Sequence, residues 1–144
     1  MTKQVESRRI LVLDGQGGGM GAQLTRLLLQ ELPQDCELLC VGTNVLATSA
    51  MLKAGCLKGA TGENAAIYQA GRADVILGPI GIILANGILG EIPAAMAAAI
   101  SGSDAVKILI PSNACNVYVA GTKDCRLEEY LRSAVEQTLK VLKA

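Results

Sequence analysis

The residues best suited to chemistry in this sequence are glycines. Residues 15–21 read GQGGGMG, five glycines in seven positions, directly after the apolar run RILVLD and directly before a leucine-rich segment. Glycine tolerates positive φ and lets backbone N–H groups approach an anion with no Cβ in the way. A helix starting at such a turn adds unpaired N–H groups and about half a positive charge. Gly17, Gly19 and Ala22 satisfy G-x-G-x-x-G/A between an expected strand and an expected helix, the context that gives the motif meaning. The expected chemistry is capture of a phosphate-bearing small molecule by Gly15, Gln16, Gly17, Gly18, Gly19, Met20 and Gly21. A tight turn with no ligand is the competing reading, and one glycine would suffice for it.

Asp14 stands at the mouth of this turn and would repel a bound phosphate. Either it holds a cation or it accepts N–H groups of the turn itself, as Asp often does, and the second use is preferred. The lysines and hydroxyl of a phosphate loop are replaced by Gln16, Ala22 and Gln23, which argues against an ATPase. At the end of the second expected strand Gly42, Thr43 and Asn44 stand where an Asp or Glu would bind an adenosine ribose, and no arginine follows to take a 2′-phosphate. The choice between NAD, NADP and another nucleotide therefore stays open. Thr43 and Asn44 can donate to a ribose or simply cap a helix.

These residues need a frame that brings them together. Apolar runs at 9–14, 36–41, 57–60, 73–77 and 105–110 read as strands, and helices are expected from the leucine spacing before Pro33, over 44–54 with Gly55 closing it, from a Thr61 cap to about 71, and over 93–100. The fold class is α/β, a three-layer, doubly wound, mostly parallel sheet of five strands. Residues 117–120 follow the fifth strand too closely for a parallel crossover and read as an antiparallel edge strand. Leu127, Leu131, Ala134, Val135, Thr138 and Leu142 mark an amphipathic closing helix. One domain spans residues 1–144, with 1–8 as a tail. In such a sheet ligands bind beyond the carboxyl ends of strands where the winding reverses. That rule adds Gly78, Pro79, Ile80 and Asn113 to the candidate site, with Cys115 nearby as a nucleophile that has no histidine to deprotonate it.

Composition narrows the function classes. Thirteen basic and 13 acidic residues balance, and aromatics make up only 2%, so neither a basic footprint nor stacking platforms argue for nucleic acid. The chain has no histidine and its five cysteines lack C-x-x-C spacing, so no metal is expected. Cys36 and Cys40 read as core thiols. No signal-peptide pattern opens the sequence, which reads as cytoplasmic. Residues 75–100 are apolar but interrupted by Pro79, Asn86, Glu91 and Pro93, so no membrane span is expected. Their aliphatics, Ile80, Ile82, Ile83, Leu84, Ile88 and Leu89, suggest a homodimer through residues 80–92.

Together the phrases LDGQGGGMG, VGTNVLATSAMLKAG, GATGENA, ILGPIGIILANGILGEI and PSNACN resemble a family of small bacterial proteins catalogued as a domain of unknown function, over residues 9–123. The resemblance implies a stand-alone Rossmann-like domain and supplies no catalytic residue. Three functions remain: a binding module for a nucleotide, dinucleotide or phosphorylated metabolite; a small NAD(P)-dependent oxidoreductase with groups near Cys115 and Glu63 facing the cofactor; and a structural or partner-binding protein with an empty turn.

Overall fold

A computed structural model describes residues 7–112 and 116–144. Five strands, β1 (Arg8–Asp14), β2 (Cys36–Gly42), β3 (Lys58–Thr61), β4 (Val75–Pro79) and β5 (Val106–Ile110), form one sheet in the order β3-β2-β1-β4-β5. Every pairing is parallel. The helices are α1 (Gly19–Glu31), α2 (Val45–Lys53), α3 (Glu63–Ala70), the single turn α4 (Gly87–Gly90), α5 (Ala94–Ser101) and α6 (Leu127–Lys143), with a 3-10 turn at Ile80–Ile83.

β1 is buried on both faces because alternate side chains point to opposite layers. Ile10 and Val12 join Leu24, Leu28, Met51, Leu131 and Val135 under α1, α2 and α6. Leu11 and Leu13 join Ala66, Ile82, Met96 and Ile100 under α3 and α5. Two cores thus sandwich the sheet, the three-layer arrangement expected. Cys40 is buried in the first core, and half-buried Cys36 packs on the same cluster.

Residues 117–120 form no strand, which corrects the expected antiparallel edge. Tyr118 and Val119 are exposed there, and with no apolar face to bury the segment has no drive to join the sheet. Thr61 closes β3 instead of capping α3; Gly62 takes the cap position with φ 106°, and the Thr61 hydroxyl bonds Thr48 at 2.7 Å. Asn44 caps α2 as its residue type suggests, accepting from the Ala47 N–H at 2.9 Å. Gly55, at φ 120°, follows that helix.

β4 runs two residues further than its apolar stretch implies, pairing Gly78 with Leu109 and Pro79 with Ile110. Pro79 is tolerated because it is the last residue and faces only β5 there. A Cβ on Gly78 would collide with the Leu13 carbonyl oxygen, so packing within the sheet accounts for this glycine without a ligand. Gly78→Ala should therefore cost about 2 kcal/mol or more of folding free energy, as overpacked cores do, read as a lowered urea midpoint.

Candidate functional site

β1 and β4 are neighbours in the sheet but separated by two strands in sequence, so the winding reverses between them. The crevice this opens lies at their carboxyl ends. A cavity of about 220 Å³ occupies it, lined by the whole stretch from Asp14 to Met20, by Pro79 and Gly81, by Ile88 and Leu89, and by Ser112.

Asp14 builds the floor. It is 6% exposed, and its carboxylate accepts the Gly15 N–H at 2.8 Å and the Gly21 N–H at 2.7 Å. The turn is thereby tied at both ends to one side chain. Burial pushes the Asp14 pKa up, more than the Gly21 and Gly15 N–H groups pull it down, and the nearby Glu91 charge adds to the rise. The turn's other internal bond runs from the Gly18 N–H to the Gly15 carbonyl at 3.0 Å, with Gln16 at φ 50° and Gly18 at φ 73°.

The glycines divide into two kinds. A Cβ on Gly15 would lie 2.5 Å from Glu91 Oε2 and 2.7 Å from Thr43 Oγ1; one on Gly18 would lie 2.7 Å from the Ala47 backbone; one on Gly21 would lie 2.7 Å from Met51 Sδ. Those three are needed for packing. A Cβ on Gly17 or Gly19 meets nothing within 4 Å, and neither residue has positive φ. Their amides, with that of Met20, also have no hydrogen-bond acceptor among the described residues. Gly17, in the turn, and Gly19 and Met20, in the first turn of α1, all line the cavity.

Glu91 was invisible as a site residue in the sequence, where it only interrupts an apolar stretch. Its carboxylate accepts the Gln16 N–H at 3.0 Å, the Thr43 hydroxyl, and the Asn44 side-chain amide at 3.3 Å. Burial works against its ionised form, but the bonds from Thr43, Gln16 and Asn44 together hold the carboxyl below the usual range. The only available signal was that a lone carboxylate in an apolar run must find partners. Asn44 also donates to the Gln16 carbonyl at 2.9 Å, so the end of β2 is stitched to the glycine turn.

The segment that carries Glu91 is strained. Asn86, Ile88, Leu89 and Gly90 have φ of 62°, 52°, 52° and 87°. A left-handed conformation costs non-glycine residues roughly 1–2 kcal/mol each, and a β-branched one such as Ile88 is a rare occupant. Its hydrogen bonds close on itself: Asn86 N–H to the Ile92 carbonyl at 2.7 Å, Gly90 N–H to Asn86 at 3.0 Å, and Ile92 N–H to Gly87 at 3.2 Å.

Of the residues expected from sequence, those from Gly15 to Gly21 are brought together at one turn, with Pro79 opposite. Thr43 and Asn44 lie beside the turn but are engaged by Glu91. Ile80 is half-buried in the 3-10 turn and does not line the cavity, nor does Glu63 at the head of α3. Asn113 and Cys115 lie outside the described residues. Of the six aliphatics of the expected interface, Ile82 is fully buried and Ile83 and Ile88 pack on the second core, so half of them face their own fold; Leu89 is 86% exposed. Among the described residues no helix is long and apolar enough to cross a membrane.

The family model for the DUF3842 domain of unknown function matches residues 9–143. The chain belongs to this family. No curated protein matches it. The family assignment thus spans the sheet, the glycine turn and the Glu91 segment together, and it carries no activity with it.

Two outcomes follow from this geometry. Gly18→Ala should destabilise by about 2 kcal/mol, from positive φ plus collision with Ala47, while Gly17→Ala and Gly19→Ala should each cost less than about 1 kcal/mol; equal losses by urea denaturation would refute the division. The second concerns pH. Because the folded-state pKa of Glu91 is lowered, its stabilisation is present above the unfolded glutamate pKa of about 4.3 and fades as pH falls through the lower folded value. Asp14, with its pKa raised, has the opposite slope. The stability deficit of Glu91→Gln should therefore be full at pH 7 and shrink below about pH 4; a deficit constant from pH 3 to 7 would contradict the assignment.

Proposed function

We propose that this protein is a binding module for a nucleotide, dinucleotide or other phosphate-bearing metabolite, held at the glycine turn. The observation that supports it is the pair Gly17 and Gly19. Among the described residues nothing requires glycine at these two positions, yet both line the cavity, beside N–H groups that have no acceptor among those residues. Close approach of an outside group accounts for them.

Charge refines the ligand class. Among the described residues the lining contains one carboxyl, Asp14, and no Lys or Arg. Neutral N–H donors and a helix terminus favour an anion by roughly 0.3–2 kcal/mol from the dipole, with about 1.5–3 kcal/mol more for each charged hydrogen bond. That suits the single charge per phosphorus of a phosphodiester or dinucleotide pyrophosphate. A triphosphate would lack its usual lysine and magnesium counter-charges. Asp14 is the only titratable side chain in the described lining, and its oxygens are already bonded, which favours binding over catalysis.

Thermal unfolding with NAD, NADP, ADP, AMP and inorganic phosphate tests this reading. A true ligand at 100 times its Kd adds about 2.7 kcal/mol of stability. Gly17→Ala without ligand should melt within about 4 °C of the wild type and lose the ligand-induced rise. No rise with any of the five, or an undiminished rise in Gly17→Ala, would count against the proposal.

A further inference from the structure

We infer that Glu91 is an internal, displaceable stand-in for a ligand anion, and that the group it keeps out is the 2′-phosphate of a phosphorylated adenosine ribose. The inference rests on the nucleotide reading above. Its starting point is that three donors from two separate turns, Gln16 N–H, Thr43 Oγ1 and Asn44 Nδ2, converge on one carboxylate supplied by a distant segment.

Their position gives the ligand. In a doubly wound sheet the adenosine ribose lies at the end of the second strand, beside the glycine turn, and the group found there decides between a free 2′-hydroxyl and a 2′-phosphate. A free diol is recognised by an acidic acceptor; this chain instead offers donors at the end of β2, and they already hold a carboxylate. Donors that satisfy one oxyanion satisfy another, and phosphate oxygens accept the same N–H and O–H groups. The open cavity also stops short of this point: its lining includes the glycine turn but not Thr43, Asn44 or Glu91. The phosphate half of the crevice is open and the ribose half is filled by Glu91.

Release requires little. Gly87 is packed against the Gly81 backbone, Ile88 packs on the second core and Ile92 is fully buried, so the backbone stays in place while the half-buried Glu91 side chain turns away. A second cavity of about 390 Å³ lies along residues from Leu84 to Leu89 and Asn116, beside the segment that carries Glu91. The bonds of Glu91 to Gln16, Thr43 and Asn44 are what an incoming anion replaces, one acceptor for another.

Calorimetric titration of the full chain and of Glu91→Ala with 2′,5′-ADP, 5′-ADP and inorganic phosphate tests this, with Glu91→Gln as the size-preserving variant should the alanine form fold poorly. The expected result is at least tenfold tighter binding of 2′,5′-ADP by Glu91→Ala, with less than a threefold change for inorganic phosphate, which needs only the open half. Amide hydrogen exchange provides a ligand-free arm. Gln16 should exchange at least tenfold faster in the variant while Leu11, in the sheet centre, stays protected. Weaker binding of 2′,5′-ADP by the variant would make Glu91 a ligand contact and overturn the inference, as would a gain confined to 5′-ADP or an unchanged Gln16 exchange rate. Phosphate binding that is unaffected by the substitution, with no gain for 2′,5′-ADP, overturns the inference alone. Absence of binding for all three probes in both proteins overturns the nucleotide reading, and the inference with it.

Discussion

The whole site depends on one buried carboxylate. Asp14 ends the central strand, is nearly removed from water, and spends both oxygens on the Gly15 and Gly21 amides. Burying an ion costs several kcal/mol, and two charge-assisted hydrogen bonds with the positive end of α1 are of the size needed to offset it. By fixing both ends of the turn to one side chain, Asp14 decides which amides are used internally and which have no acceptor among the described residues. An alanine there would leave two buried donors unmatched and free the turn to collapse.

That arrangement changes the meaning of the glycine run. As sequence it is a single block; in three dimensions Gly15, Gly18 and Gly21 serve contacts with Thr43, Ala47, Met51 and Glu91, and Gly17 and Gly19 serve none. A high glycine count alone therefore overstates the ligand argument, and the two unexplained positions carry it. Asp14, the apparent obstacle to an anion, is instead the scaffold of the turn, with its oxygens committed to the loop amides.

The fold was legible because its signals are local and strong. Continuous apolar runs such as RILVLD bury both faces of a central strand, and the leucine spacing of α1 and α6 has one helical solution. Residues 117–120 misled because a short apolar stretch says nothing about whether a partner edge is within reach. Thr61 misled because both strand and cap suit it, and pairing with Thr48 decided the matter. The turn itself was legible down to Asp14's role. Glu91 was not, since its partners lie 75 and 47–48 positions away, and no periodicity encodes a contact of that separation. Of the aliphatics in residues 80–92, Ile82, Ile83 and Ile88 find cover in the second core of their own chain, a contact that composition alone does not distinguish from an interface.

The left-handed turn from Asn86 to Gly90 has a consequence for how such a protein diversifies. Because its backbone hydrogen bonds stay within residues 84–92 and none of its residues pairs in the sheet, it sits as a cassette on the rim of the sheet. Replacing it would reshape the rim of the crevice without disturbing a single strand pairing. The shape of the crevice rim and the pairing of the strands are thereby written in separate stretches of the chain, so one can drift while the other is held.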